Sequence, residues 1–407
     1  MTLFKKIFQT YKSAYAGLPR EAWLLAMTDF VNRSGSMVLF FMTLYLTQVY
    51  HYSPVKAGRA ISAWGVGALI GAFLGGKLTD KFGAYWVQRG SLFLEGTGLI
   101  ILGYLRSFPA ILAMMFCIGL VGEAMLPAIS SAMSQVCAPE IRTKGFSLRR
   151  LSSNLGVTIG PVIGGYLAIR DYHLLFWADG ITCYAALIVF LMFFKTSRPP
   201  APVDSVPANP HLPVSIWKDH YFLKILGIVI MIGIVFSQVF NTLPLYYKEA
   251  FGFRENHIGY LMAINTSLIV TIEMALMQAL RGKPLIKIIA PGAICLGLGM
   301  GLMPFGHGFL FAAFTVFLWS MGEILMLSPL TTLIAEHSND EVRGKYMGFF
   351  SFAFSAGMAA GPVVGSKLYA SSHGPEILWY MCGLAGVMMF AALLTLKKKT
   401  IQNSAKS

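Results

Sequence analysis

The chain has 407 residues, 56% of them hydrophobic and 12% charged, with a net charge of +14 and a mean hydropathy of +0.64. Soluble globular domains carry roughly 25% charged residues, and here the apolar residues recur in runs of ~20, the length that crosses a ~30 Å hydrocarbon core. A soluble enzyme is excluded, and so is a protein with a single membrane anchor.

Apolar runs read against Gly, Pro and charge punctuation predict twelve spans, near 22–47, 58–78, 86–106, 109–136, 145–169, 174–194, 221–247, 257–280, 285–306, 309–335, 345–371 and 376–396. The basic residues before the first span precede a run long enough to cross, with no small-residue cleavage site, so no cleavable signal is expected. Between spans six and seven the segment RPPAPVDSVPANPHLP is proline-rich and predicts an extended linker. The expected organisation is a first bundle over 1–194, a linker over 195–220 and a second bundle over 221–407. The N-tail, the C-tail and alternate loops hold 24 of the 32 Lys and Arg residues and the other loops hold 7. The positive-inside rule therefore puts both termini in the cytoplasm, and the same asymmetry explains the basic charge without nucleic acid. Cys117, Cys137, Cys183, Cys295 and Cys382 are scattered through apolar runs and show neither a disulfide framework nor a metal-ligand spacing.

The halves repeat each other. Gly122-Glu123 recurs as Gly322-Glu323, and Arg142…Gly160-Pro161-x-x-Gly164 recurs as Arg343…Gly361-Pro362-x-x-Gly365. Two parallel six-helix repeats about an axis along the membrane normal are the architecture of major facilitator transporters. The loop Gly76-Lys77-Leu78-Thr79-Asp80-Lys81-Phe82-Gly83 resembles the signature these transporters carry between spans two and three. There the aspartate is expected to cap a helix end or pair with a basic residue, and Gly76, Asp80 and Gly83 to serve a gating loop. The matching loop of the second half, Ala279 to Pro284, lacks an aspartate, so a gate built on it is one-sided.

In span five, Gly156-x-x-x-Gly160-Pro161-x-x-Gly164 resembles the core of the motif of drug:proton antiporters, with Ser147 where that motif has an earlier glycine. Gly361, Pro362 and Gly365 repeat it in span eleven. Small residues at this spacing let helices approach closely, so a packing seam and a role in transport direction are both open. Gly67-x-x-x-Gly71-x-x-x-Gly75 in span two reads as a seam. Asn32-Arg33-Ser34-Gly35 with Leu44-Tyr45-Leu46-Thr47, and Gly322-Glu323 with Pro329 and the Arg343-Gly344-Lys345-Tyr346-Met347-Gly348 stretch, resemble the twelve-span drug:proton branch. Proton-coupled peptide transporters are the near alternative, but Asp29-x-x-Asn32-Arg33 lacks their second carboxylate and Leu126-Pro127-Ala128-Ile129-Ser130 lacks their lysine.

Ionisable groups at membrane depth cost ~2.5–3.5 kcal/mol each even on the lenient scale and are functional candidates by default. Glu123 and Glu323 fall at the middle of spans four and ten, which the resemblance implies line a central cavity, where a carboxyl group can take up a proton on one side and release it on the other. Arg33 and Asp29 share one face of span one at i, i+4, and Arg33 is a candidate to swap partners between Asp29 and a cavity glutamate. Glu273 and Glu95 are weaker candidates, Glu95 as a structural pair outside the cavity. Asp179 is expected at the interface, and Arg149 and Arg150 at a lipid or gate contact. Tyr45, Gln238, Asn241 and Trp319 are expected to line the cavity.

The resulting expectation is an all-α, multi-pass protein of the inner or plasma membrane with the major facilitator fold. It is expected to act as a monomer on small organic or amphipathic molecules, exchanging them for protons by alternating access. The alternative is proton-coupled import of peptides or another nutrient. With no phosphate-binding loop and no catalytic constellation, neither an enzyme, nor a cofactor, nor a metal site is expected.

Overall fold

A computed structural model describes residues 15–194, 216–338, 342–372 and 374–396. Most of the expected linker lies outside these residues. Fourteen α-helices are described: α1 Arg20–Ser34, α2 Val38–Gln48, α3 Pro54–Phe82, α4 Ala84–Leu102, α5 Phe108–Val136, α6 Arg142–Arg170 and α7 His173–Phe193 in the first half. The second half has α8 His220–Phe236, α9 Thr242–Glu249, α10 Glu255–Ala279, α11 Leu285–Gly301, α12 Phe309–His337, α13 Arg343–Tyr369 and α14 Glu376–Leu394. Eight of the spans are long and apolar enough to cross a membrane by length and composition alone.

Fourteen helices are described where twelve spans are expected, because two of the expected spans are broken at matching places in the repeat. The sequence predicts an unbroken first span over 22–47; instead the chain breaks between Ser34 and Val38. The break has a visible cause. Asp179 of α7 accepts hydrogen bonds from the amides of Met37 (3.3 Å) and Val38 (3.0 Å), satisfying donors at the start of α2 that have no partner within that helix. Gly35 lies so close to α7 that a Cβ there would sit 2.5 Å from Asp179 Oδ1 and 1.9 Å from Thr182 Oγ1. Asp179 is therefore a buried cap for a half-helix, not an interfacial residue.

The seventh span breaks at the 3-10 turn Ser237–Phe240, and neutral amides do the corresponding work. Gln238 donates to the carbonyl of Gly361 (3.0 Å) and Asn241 to that of Pro362 (3.2 Å). Both glycine-proline motifs pack against these breaks. Gly156 and Gly160 of α6 face the backbone around Arg33, Ser34 and Ser36, and Gly164 faces Met37. In α13, Gly361 faces Ser237 and Gly365 faces Gln238. A side chain at any of these positions would enter the neighbouring helix, so the motifs are seams that hold the bent spans. The α3 glycines form the same kind of seam: at Gly67, Gly71 and Gly75 a Cβ would come within 2.1, 2.1 and 2.5 Å of carbonyl oxygens of α5.

At one end of the second half, Asp219 caps α8. Its Oδ1 accepts from the Phe222 amide (3.0 Å), and its Oδ2 meets His337 Nε2 (2.7 Å) and accepts from Tyr346 (2.9 Å). Burial opposes the charge of this carboxylate, but the Phe222 amide, His337 and Tyr346 outweigh burial and hold it below the usual carboxylate range.

Candidate functional site

The two halves meet closely at one end, referred to below as the Tyr172 end. Thr43 donates to Asn241 (3.1 Å), Tyr172 donates to Glu255 (2.8 Å), and the Phe40 and Phe240 rings lie 4.7 Å apart. Backbones touch as well: a Cβ on Gly58 would lie 2.6 Å from the Pro362 carbonyl, and one on Gly259 would lie 2.4 Å from that of Pro161. At the opposite, Asp80 end the halves part. Gly76, Gly344 and Gly348 have open space around them, and an apolar groove of ≈ 760 Å³ separates Leu69–Phe73 of α3 from Lys345–Ser355 of α13. The ion pair that crosses there is Arg150 with Glu273. The molecule is closed at the Tyr172 end and open at the Asp80 end.

Inside the first bundle lies a cavity of ≈ 230 Å³, which Phe240 closes from the second half. Its wall is mostly apolar and aromatic, with Phe40, Trp64, Leu99 and Met115, and its charged residues are Arg33, Glu95, Glu123 and Asp179. Arg33 Nε lies 3.9 Å from Asp29 Oδ1, and Arg149 Nε lies 3.6 Å from Asp29 Oδ2. Asp29 is 1% exposed, so two guanidiniums from different spans compensate one buried carboxylate. Arg149 also donates to Ser130 (3.0 Å), tying α5 and α6 to α1. Arg33 stands within electrostatic reach of Glu123, Asp29 and Glu95 together.

A family model described as Major Facilitator Superfamily matches residues 22–355 and 325–407. The chain belongs to the Major Facilitator Superfamily. Among curated relatives, an uncharacterised MFS-type transporter, YqjV of Bacillus subtilis, is 25% identical over 84% of this chain and 85% of its own. The multidrug resistance protein MdtH of Aeromonas salmonicida is 24% identical over 83% of each. Among solved structures, a peptide transporter POT in complex with sulfate matches with a TM-score of 0.79 at 16% identity, covering 94% of this chain and 95% of that one. The nucleoside transporter NupG matches with a TM-score of 0.78 at 14% identity, covering 93% and 99%. The fold is that of major facilitator transporters, so the chain is a membrane transporter and not an enzyme.

Within this major facilitator frame, the expected cavity wall needs correction. Tyr45 is 1% exposed and packs edge-on against Tyr50 and Phe176 in the seal of the Tyr172 end. Gln238 and Asn241 are spent on the carbonyls of α13. Trp319 is wholly buried beneath Gly299, with its ring 6.3 Å from Phe236. Each of the four is turned into a packing contact between elements.

Glu323 accepts from Asn265 (3.1 Å), which also donates to Ser320 (2.9 Å). It stands in the field of Glu273 and Arg150 and does not line the Arg33 cavity, so in this state the two mid-membrane glutamates face separate surroundings. Asp80 lies exposed on the last turn of α3 and makes no ion pair among the described residues; it does not cap α4. Gly83 ends α3 with φ of 86°, a left-handed conformation that a glycine adopts without a Cβ penalty. Glu95, expected outside the cavity, lines it. Arg150 bridges the halves rather than meeting lipid. Glu255 went unnoticed in the sequence because it opens a helix beside a loop. It receives Tyr172 of the first half and Lys248 (2.7 Å) and is 6% exposed.

Proposed function

We propose that the chain is a proton-coupled exporter of small amphipathic organic molecules that works by alternating access, as a monomer, with 1–194 and 221–407 as its two moving bodies. The supporting observation is the Arg33 cavity, where an arginine and carboxylates at membrane depth share a small space with aromatic and aliphatic walls. Charge there is costly and has a use if protonation switches which partner Arg33 takes. The multidrug resistance relatives agree with an amphipathic substrate. The 24-to-7 distribution of Lys and Arg makes the Asp80 end cytoplasmic, so the present state faces inward, ready to load cargo for export. Peptide import is the weaker reading. The likeness to peptide transporter structures is one of fold, and Asn32, where those transporters carry a carboxylate, is turned to Cys183 (3.4 Å).

The test is uptake of a fluorescent amphipathic cation into inside-out proteoliposomes under an imposed pH gradient. Accumulation is expected with the wild type and is lost with Glu123→Gln. Dye movement indifferent to the gradient, or gradient-driven movement of a dipeptide in its place, overturns the reading.

A further inference from the structure

The interior of the first bundle holds more acid than base. Asp29, Glu95, Glu123 and Asp179 face two guanidiniums, Arg33 and Arg149. Two of the acids are accounted for: Asp29 has Arg149 at 3.6 Å whichever partner Arg33 takes, and Asp179 accepts the Met37 and Val38 amides. Glu95 and Glu123 remain, with Arg33 as the cation that lines their cavity. They come from different helices, α4 and α5, and Glu95 meets α5 at Gly122, the residue before Glu123. A Cβ built on Gly122 would lie 2.8 Å from Glu95 Oε1 and 3.1 Å from its carboxyl carbon, so the missing side chain is what lets the Glu95 carboxylate lie against α5 beside Glu123. Arg33 Nε makes no hydrogen bond among the described residues. The other groups facing Glu95 are Asn32 of α1 and Asp179 and Cys183 of α7; none of them supplies a positive charge.

We propose that Glu95 and Glu123 share one exchangeable proton across the Arg33 cavity, with Gly122 as the spacer that brings them together. The proposal rests on the reading of Glu123 as the coupling group and adds a second carrier to it. Two carboxylates and one guanidinium balance when a single proton is present. Uptake forms one O–H bond, on a carboxylate oxygen of either glutamate, using a proton from water that reaches the cavity; Arg33 then pairs with the glutamate left ionised. Release breaks that O–H bond and returns the proton to water, and Arg33 is held between two anions.

The test is infrared titration of the carboxylic C=O stretch in the purified full-length chain, which needs no transport. Failure of gradient-driven dye uptake therefore sinks the export reading without touching this result, and the converse holds. The wild type is expected to lose one protonated-carboxyl band in a single step as pH rises. Glu95→Gln and Glu123→Gln are each expected to abolish that band, because the remaining glutamate is balanced by Arg33 and needs no proton. Gly122→Ala keeps both acids but pushes them apart, and is expected to shift the midpoint by about one pH unit. It decides the matter if Glu95→Gln does not fold. A band that survives Glu95→Gln intact, or a midpoint unmoved by Gly122→Ala, overturns the proposal.

Discussion

The two halves repeat one backbone plan and solve its main difficulty with different chemistry. Each bends its first span, and each must satisfy the polar groups the bend exposes at membrane depth. In the first half the partner is a carboxylate, Asp179, set in a bundle that also holds Asp29, Glu95, Glu123, Arg33 and Arg149. In the second half the side-chain amides belong to the break itself: Gln238 donates to the Ile234 carbonyl of the bent span and to Gly361 of α13, and Asn241 donates to Pro362, while Glu323 is met by another amide, Asn265. Toward the Asp80 end, Glu273 of the second half pairs with Arg150 of the first. Backbone symmetry is thus compatible with different chemistry at the two breaks, a buried carboxylate at one and side-chain amides at the other.

The comparison can be broken most forcefully at Arg33. Arg33→Ala leaves carboxylates uncompensated in the first bundle, and removing one partner of a buried pair costs about 3–5 kcal/mol. A large drop in thermal stability in detergent is expected, with Arg33→Lys recovering much of it. If Arg33→Ala melts like the wild type, the first half does not depend on its charge balance.

Gly361→Ala and Gly160→Ala probe the seams on the two sides of the repeat. A Cβ at Gly361 would meet Ser237 Oγ at 1.9 Å, whereas at Gly160 the nearest atom, the Ser34 carbonyl oxygen, is 3.1 Å away. The second-half change is expected to cost about 1–3 kcal/mol, as overpacking does, and the first-half change less. Equal melting temperatures would remove the ranking.

Replacing the neutral clamps is expected to cost less again. Gln238→Leu and Asn241→Leu each remove hydrogen bonds of the kind that average about 0.6 kcal/mol in membranes, rising to about 1.7. Denaturant titration of the single and double variants measures it. A loss as large as that of Arg33→Ala would contradict the idea that the neutral clamps carry less than the charge balance of the first bundle.

A contrast comes from Asp219 at the start of α8, whose carboxyl, against the opposing effect of burial, is held below its ordinary value by the Phe222 amide, His337 and Tyr346. A depressed folded-state pKa gives stability that is fully present above the unfolded aspartate value of about 3.9 and is lost as pH falls through the folded value. Melting temperature followed down through that window should fall more steeply for the wild type than for Asp219→Asn. Parallel curves would show that the cap carries no linked proton. The smallest effect on stability is expected at Asp80, which is exposed on the last turn of α3. Asp80→Asn should melt as the wild type does and slow cycling at unchanged dye affinity; a loss of affinity with normal turnover would place Asp80 in binding and not in gating.

Much of the architecture was legible in the sequence because span length, loop charge and the repeated Gly-Pro motifs are one-dimensional signals. Glu123 and Arg33 were legible for the same reason, since a charge in an apolar run stands out whatever it touches. The cavity wall was not. Gln238, Asn241, Tyr45 and Trp319 have the side chains a binding wall would use, and their true partners are carbonyls, glycines and rings brought near by two bends. Those bends leave no mark in the periodicity of spans one and seven. Glu95 is another case: its place against α5 depends on the side chain that Gly122 lacks, and an absent group in a different helix has no signature at the position it serves.

The break between Ser34 and Val38 also has a mechanical consequence. It divides one span into two levers with separate loads. α1 carries Asp29 and Arg33 and is tied by Arg149 to α6, while α2 carries Thr43 and Tyr45 and is fastened to the seal at the Tyr172 end. The pivot between them is held by α7 through Asp179, not by either lever. Torque applied at the seal therefore reaches the charged interior through a joint held by α7 and by the α6 glycines, so a softened pivot, as in Asp179→Asn, would let the seal move without the Asp29–Arg33 interior moving in step. Slippage, in the sense an engineer gives the word, is the failure this joint guards against.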